Sequence, residues 1–194
     1  MAFVAVAVTW ISSSHHHVRQ WERSVTEWLN SAPDWVAHTM WPIMQAGTLW
    51  CPFLAALAIG LIRRDWFVAG VMVVVGLVTW FGAQGVKRVV DRARPGAFIP
   101  DLNVREGTGN GLGYLSGHSA MAAAVAVVAL TVVPRRWWPL LFVLVAIVGI
   151  ARVVHGVHLP ADVIGGWGFG TLVGLAGVTV IDWHQRRAAP APLP

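Results

Sequence analysis

Long apolar runs separated by short polar breaks dominate the chain. Pro42–Ile62 is apolar apart from Gln45 and Thr48, and Trp66–Val86 apart from Thr79 and Gln84. Gly117–Val133 is shorter and rich in alanine and valine. Trp137–Val154 is interrupted by Arg152, and Val163–Ile181 closes the series. Roughly 20 apolar residues carry a helix across a bilayer. Helices satisfy their own peptide groups, which the membrane interior cannot do for them. The pattern therefore predicts an all-α, integral-membrane helical bundle with five transmembrane helices. Ala2–Ile11 is apolar but too short to cross alone, and lacks the basic start and cleavage site of a signal peptide. It is read as a short membrane-embedded first helix, making six.

Val18–Trp41 has a different period. Trp21, Trp28 and Trp35 recur every seven residues and share a helix face, while Arg19, Glu22, Arg23 and Glu27 supply polar faces. Residues 15–41 are read as an interfacial amphipathic segment, with tryptophans as anchors and a break near Asn30–Pro33. Gly166, Gly170 and Gly174 recur every four residues in the last run, the spacing of close helix packing. Residues 1–187 form a single transmembrane domain in this reading, and 188–194, rich in Ala and Pro, a disordered tail.

Composition agrees with the pattern. Of 194 residues, 56% are hydrophobic and 12% charged, about half the charged fraction of a soluble domain. Mean hydropathy is +0.62. The net charge of +5 comes from basic residues at the ends of apolar runs, which points to membrane topology and anionic ligands rather than nucleic acid. Cys51 is the lone cysteine, so an intrachain disulfide and cysteine-rich metal sites are excluded.

Counting crossings brings three polar blocks to one membrane face. Lys87–Pro95 ends the second span, Ser116–His118 begins the third, and Arg152–Asp162 joins the fourth to the fifth. The opposite face holds Arg63, Arg64, Arg135, Arg136, Arg186 and Arg187, in short turns that fit a cytoplasmic side. Eight Lys and Arg lie on the block-bearing face, so the charge bias is slight; an outward-facing site is the reading adopted.

Each block carries candidate chemistry. Lys87 and Arg94 are seven apart on one helix face, and a point charge beside a planar fork suits a phosphoryl group. Alone, that block would read as a juxtamembrane charge run. Ser116 is a good N-cap, Gly117 permits close backbone approach, and free N–H groups at a helix start bind anions. His118 could exchange a proton near neutral pH. Pro160 suits the first turn of the last helix, which puts Asp162 close to His158. A carboxylate near an imidazole fixes its tautomer, and an acidic residue at a bilayer boundary needs a partner.

Taken together, the blocks resemble the signature of the type-2 phosphatidic acid phosphatase (PAP2) superfamily: Lys-x6-Arg-Pro, then Pro-Ser-Gly-His, then Ser-Arg-x5-His-x3-Asp. Lys87, Arg94 and Pro95 match the first element. Ser116, Gly117 and His118 match the second, with Leu115 in place of proline. Arg152, His158 and Asp162 match the third, with Ala151 in place of serine. The resemblance covers roughly residues 42–182. It implies a membrane lipid phosphatase in which His158 attacks phosphorus, Asp162 orients it, and His118 protonates the leaving oxygen and then activates water. It assigns phosphate binding to Lys87, Arg94, Arg152, Ser116 and the Gly117 amide. It also implies no metal and no cofactor, and a lipid phosphate as substrate. Candidates are polyprenyl phosphates or diphosphates, phosphatidylglycerophosphate and phosphatidic acid. A non-catalytic transporter that binds anions or lipid headgroups is the competing reading, and vanadate-dependent oxidation on the same scaffold a third. His155 is expected to pack or face water, and the 99–113 loop to overhang the site. His15–His17, His38 and His184 carry no pattern.

Overall fold

The computed structural model describes Val6, Thr9, residues 18–107 and residues 109–188. Most of the predicted first helix, His15–His17 and the tail from 189 lie outside the described residues. Among those described, every regular element is helical, apart from one isolated antiparallel bridge between Ala93 and Leu112.

The first two helices are α1 (Gln20–Asn30) and α2 (Asp34–Met44), broken at the predicted turn by Ser31–Pro33. In α1, Glu22, Thr26 and Asn30 make a buried stripe at helical spacing, while Trp21 and Trp28 face outward. The segment is thus inverted relative to a water-soluble helix: its polar residues pack inward and its aromatics outward.

The predicted straight span over Pro42–Ile62 is instead a bent pair. A tight turn at Gln45–Gly47 separates α2 from α3 (Trp50–Ala58, continued by a wide turn at Ile59–Arg63), and the two halves meet at 69°. Thr48 Oγ1 donates to the Gln45 carbonyl at 2.7 Å, which closes the turn. A Cβ on Gly47 would stand 2.6 Å from the His118 carbonyl oxygen. Glycine therefore lets the bend press against the start of the helix that carries His118.

Helix α4 (Trp66–Val90) begins at Asp65, whose side chain accepts from the Val68 amide at 3.0 Å. It ends at Asp91 in the left-handed region, with Lys87 in its last turn. Helix α5 (Gly117–Ala129) is shorter than the apolar run predicted. A turn over 130–132 replaces its last residues ahead of Pro134. Helices α6 (Trp138–Val154) and α7 (Pro160–Ala188) complete the bundle.

Among the described residues, three helices are long and apolar enough to cross a membrane: α4, α6 with its preceding turn, and α7. The bent pair makes a fourth if taken together. The outward surface is apolar, with Trp50, Leu54, Ile62, Phe81 and Val89 largely exposed, whereas Arg92, Ser119 and Asp162 are fully buried. Helices α5 and α7 share the most extensive contact. The four-residue glycine spacing explains it. A Cβ on Gly166 would meet the Ser116 carbonyl oxygen at 2.6 Å, and one on Gly170 the Ala120 carbonyl oxygen at 1.9 Å. Only glycine lets these backbones touch, and the contact sets the start of α5 against the start of α7.

Candidate active site

Three elements deliver the candidate groups: the end of α4 with the loop after it, the start of α5, and the turn from α6 into α7. That turn, His155–Leu159, passes through Gly156 in the left-handed region. A Cβ there would strike the Asn103 carbonyl oxygen at 2.8 Å. The amides of Val157 and His158 donate back to the Arg152 carbonyl at 3.2 and 3.3 Å, so His158 and Arg152 form one rigid unit. Asp162 lies in the first turn of α7, and its backbone carbonyl accepts from the Ser116 amide at 2.9 Å. The second and third blocks are therefore stitched directly.

His158 Nδ1 is 3.5 Å from Asp162 Oδ2, with both side chains buried. That oxygen accepts its hydrogen bond from the Leu159 amide at 2.9 Å, and His158 Nδ1 is buried beside it without a hydrogen-bond partner. Burial, reinforced by the charges of Lys87, Arg152 and Arg94, holds the His158 imidazole well below the ordinary histidine value. The ring is neutral at neutral pH, as a nucleophile requires. The same three cations also act on His118, which His158 itself reaches electrostatically. The two imidazoles thus share one positive environment.

Lys87 Nζ donates to the Leu112 and Gly113 carbonyls at 3.0 and 3.2 Å, which anchors the loop to α4. The Arg94 amide donates to the Gly111 carbonyl at 3.1 Å, across the small antiparallel bridge. Arg152 Nη1 lies 3.3 Å from Met44 Sδ and is paired with the Glu106 carboxylate. Arg94 Nε and Arg152 Nε are buried without hydrogen-bond partners. Buried guanidinium N–H groups left open are costly unless an anion completes them. Ser116 Oγ serves as the N-cap of α5, accepting from the Ser119 amide at 3.4 Å with the Ser119 hydroxyl 3.0 Å away. Where a Cβ on Gly117 would stand there is open space. Every residue predicted for the site is thus gathered around the α4, α5 and α7 termini. Ser116 alone has its side chain committed to its own helix.

Two residues at the site, Arg92 and Glu22, escaped sequence reading. Arg92 donates from Nη1 to Asp162 Oδ1 at 3.1 Å and from Nη2 to both Glu22 oxygens at 3.1 and 2.9 Å. Arg92 sits in the variable spacer of the first block, and Glu22 reads as one more polar residue of an amphipathic helix. Glu106 belongs to the 99–113 loop expected over the site, and its carboxylate reaches it by pairing with Arg152. His155 bonds through Nδ1 to the Ala151 carbonyl at 2.7 Å, the packing role expected of it.

The half-buried Lys87 and Arg94 and the buried Arg152 thus surround two imidazoles and a carboxylate on an all-helical scaffold, an arrangement suited to an anion. The profile of the PAP2 superfamily matches residues 64–186, and the chain belongs to that family. It is 34% identical over 140 residues to a decaprenylphosphoryl-5-phosphoribose phosphatase of Mycobacterium tuberculosis, covering 72% of this chain and 75% of that one. It is 28% identical over 132 residues to an undecaprenyl-diphosphatase of Sulfolobus acidocaldarius, spanning 68% of this chain but only 63% of the relative. A transmembrane PAP2-type phosphatidylglycerolphosphate phosphatase from Bacillus subtilis superposes with a TM-score of 0.78 at 20% identity, over 94% of this chain and 96% of that one. Aquifex aeolicus LpxE superposes with a TM-score of 0.73 at 18% identity, over 80% and 93%. At those identities the solved structures establish a shared fold.

Proposed function

We propose that this protein is a metal-independent membrane lipid phosphatase that hydrolyses a lipid phosphomonoester or diphosphate through a phosphohistidine intermediate. The observation that carries the reading is the neutral, buried His158 held beside Asp162 within reach of three cations. His158 Nε2 attacks phosphorus while Nδ1–H stays with Asp162. The bound phosphoryl anion offsets the three cations and lets His118 hold the proton that it gives to the leaving oxygen; His118 then takes one from the water that cleaves the phosphoenzyme. Lys87, Arg94, Arg152 and the Gly117 amide neutralise the phosphoryl oxygens, the kind of electrostatic stabilisation that usually dominates such catalysis. Ser116 joins them by releasing its hydroxyl contact to Ser119. A binding or transport protein would have no use for a nucleophile and an acid set beside each other.

The apolar body favours a membrane-resident substrate. The relatives named for decaprenyl and undecaprenyl compounds favour a polyprenyl phosphate or diphosphate over phosphatidylglycerophosphate or phosphatidic acid. In this reading residues 1–187 are one domain with five crossings. The bent α2–α3 pair is one, α5 is another despite its length, and α1 lies in the interface with its tryptophans toward lipid. The site opens on the outer face of the cell membrane.

The test is phosphate release by detergent-purified protein, in the presence of a chelator, from farnesyl diphosphate, farnesyl phosphate, phosphatidylglycerophosphate and phosphatidic acid. Release from at least one that is lost in His158→Ala supports the proposal. Equal release by both proteins sinks it.

A further inference from the structure

The site contains a second, deeper charge cluster, of which the proposed chemistry uses only Asp162. Arg92, Glu22 and Asp162 are all fully buried, and one guanidinium joins the two carboxylates. The joint spans about 70 residues of chain in each direction, so it is a product of the fold and not of local sequence. Its backbone is held as firmly as its side chain. Asp91 makes the left-handed turn that ends α4, and the next carbonyl, that of Arg92, accepts from the Gly113 amide at 2.7 Å. Gly113 has room for no side chain, because a Cβ there would stand 3.1 Å from Asp162 Oδ2 and 2.9 Å from the Ala93 carbonyl oxygen.

We infer that Arg92 is a positioning residue for His158, acting through Asp162, and that Glu22 sets the strength of its hold. This inference rests on the phosphatase reading. The two oxygens of Asp162 have separate duties. Oδ1 takes the Arg92 N–H, and Oδ2 takes the Leu159 amide and faces His158 Nδ1. An ionised Asp162 can only accept, so it demands the tautomer with the proton on Nδ1. That tautomer leaves the Nε2 lone pair free for phosphorus. Without the Arg92 charge, two buried carboxylates would face one another, and such pairs hold a proton between them. A protonated Asp162 could donate to Nδ1 and stabilise the opposite, unreactive tautomer. Glu22 draws part of the guanidinium charge to itself, so Arg92 does not cancel the pull of Asp162 on the imidazole. Because Glu22 belongs to α1, the outward-facing tryptophan helix is tied by one arginine to the nucleophile.

The test uses the purified full chain with farnesyl phosphate as probe, reading kcat and KM separately and following thermal unfolding. Arg92→Gln is expected to lower kcat about 100-fold with KM within about threefold, the scale of a misplaced catalytic group. Arg92→Lys, which keeps charge but loses the fork, should recover about a tenth of wild-type kcat. Glu22→Gln is nearly isosteric and guards against a folding artefact. It should lower kcat several-fold in the wild-type background and have no effect on top of Asp162→Asn. A role limited to folding predicts lowered unfolding temperatures at unchanged kcat, or Glu22→Gln and Asp162→Asn effects that multiply; either result overturns the inference while the phosphatase reading stands. Wild-type protein that releases no phosphate overturns both.

Discussion

Glu106 occupies the cation that a phosphoryl group would need, and removing its charge should tighten substrate binding. Its carboxylate pairs with Arg152, whose side chain is 5% exposed against 31% for Glu106. A hydrogen bond to a charged group contributes about 1.5–3 kcal/mol net. Glu106 keeps part of its hydration, so its competition with substrate is worth less, about 1 kcal/mol. That is about fivefold in affinity. Glu106→Gln should therefore lower KM for farnesyl phosphate about fivefold with kcat within a factor of two. It should tighten inhibition by vanadate, a mimic of five-coordinate phosphorus, by the same factor. The substitution also leaves a buried guanidinium without its counterion. The unliganded variant should unfold at lower temperature and recover when inorganic phosphate is added. In an Arg152→Gln background the KM effect should vanish. An unchanged KM would refute the competition. A raised KM would mean that Glu106 prepares Arg152 for substrate instead of blocking it.

Further outcomes follow from the same geometry. Because burial and neighbouring cations hold His158 neutral, protonation disables it only well below the ordinary value of about 6.5. The acid limb of kcat/KM, corrected for ionisation of the substrate, should lie below that pH; a limb at or above it contradicts the assignment. Arg94→Met removes a donor with an open Nε and should cost about 100- to 1000-fold in kcat, as loss of an oxyanion-binding group does. Gly170→Val drives a side chain into the Ala120 backbone. It should destabilise the protein by about 1–3 kcal/mol, measured by thermal unfolding in detergent, while Gly85→Ala, which meets nothing within 4 Å, should be neutral or slightly stabilising.

What could be read from the chain follows from range. The apolar runs, the cap at Ser116 and the glycine period of α7 are local features, and local steric rules govern them. The convergence of Lys87, His118 and His158 was legible for a different reason: crossings of a membrane must alternate, so counting them fixes which ends meet. The bend in Pro42–Ile62 was not legible. Hydropathy cannot distinguish a straight apolar helix from two halves at 69°, and the reason for the bend, Gly47 lying against His118, is a tertiary contact. Glu22 and Arg92 were missed on the same ground. A polar residue on an amphipathic helix is ordinarily solvated, and only the packed bundle shows that this face points inward. The turn from α6 into α7 is local as well, and it alone sets Arg152, His158 and Asp162 in fixed relation.

The most direct test of the central claim is to trap the intermediate. Purified protein is mixed with [32P]-labelled farnesyl phosphate, quenched with alkali within the first turnover, and digested for peptide mapping. The account predicts an alkali-stable, acid-labile label on His158, absent from His158→Ala and, in His118→Ala, slower to form but longer-lived because neither the leaving oxygen is protonated nor water activated. Label on any other residue, or rapid phosphate release with no labelled protein in either background, would contradict it.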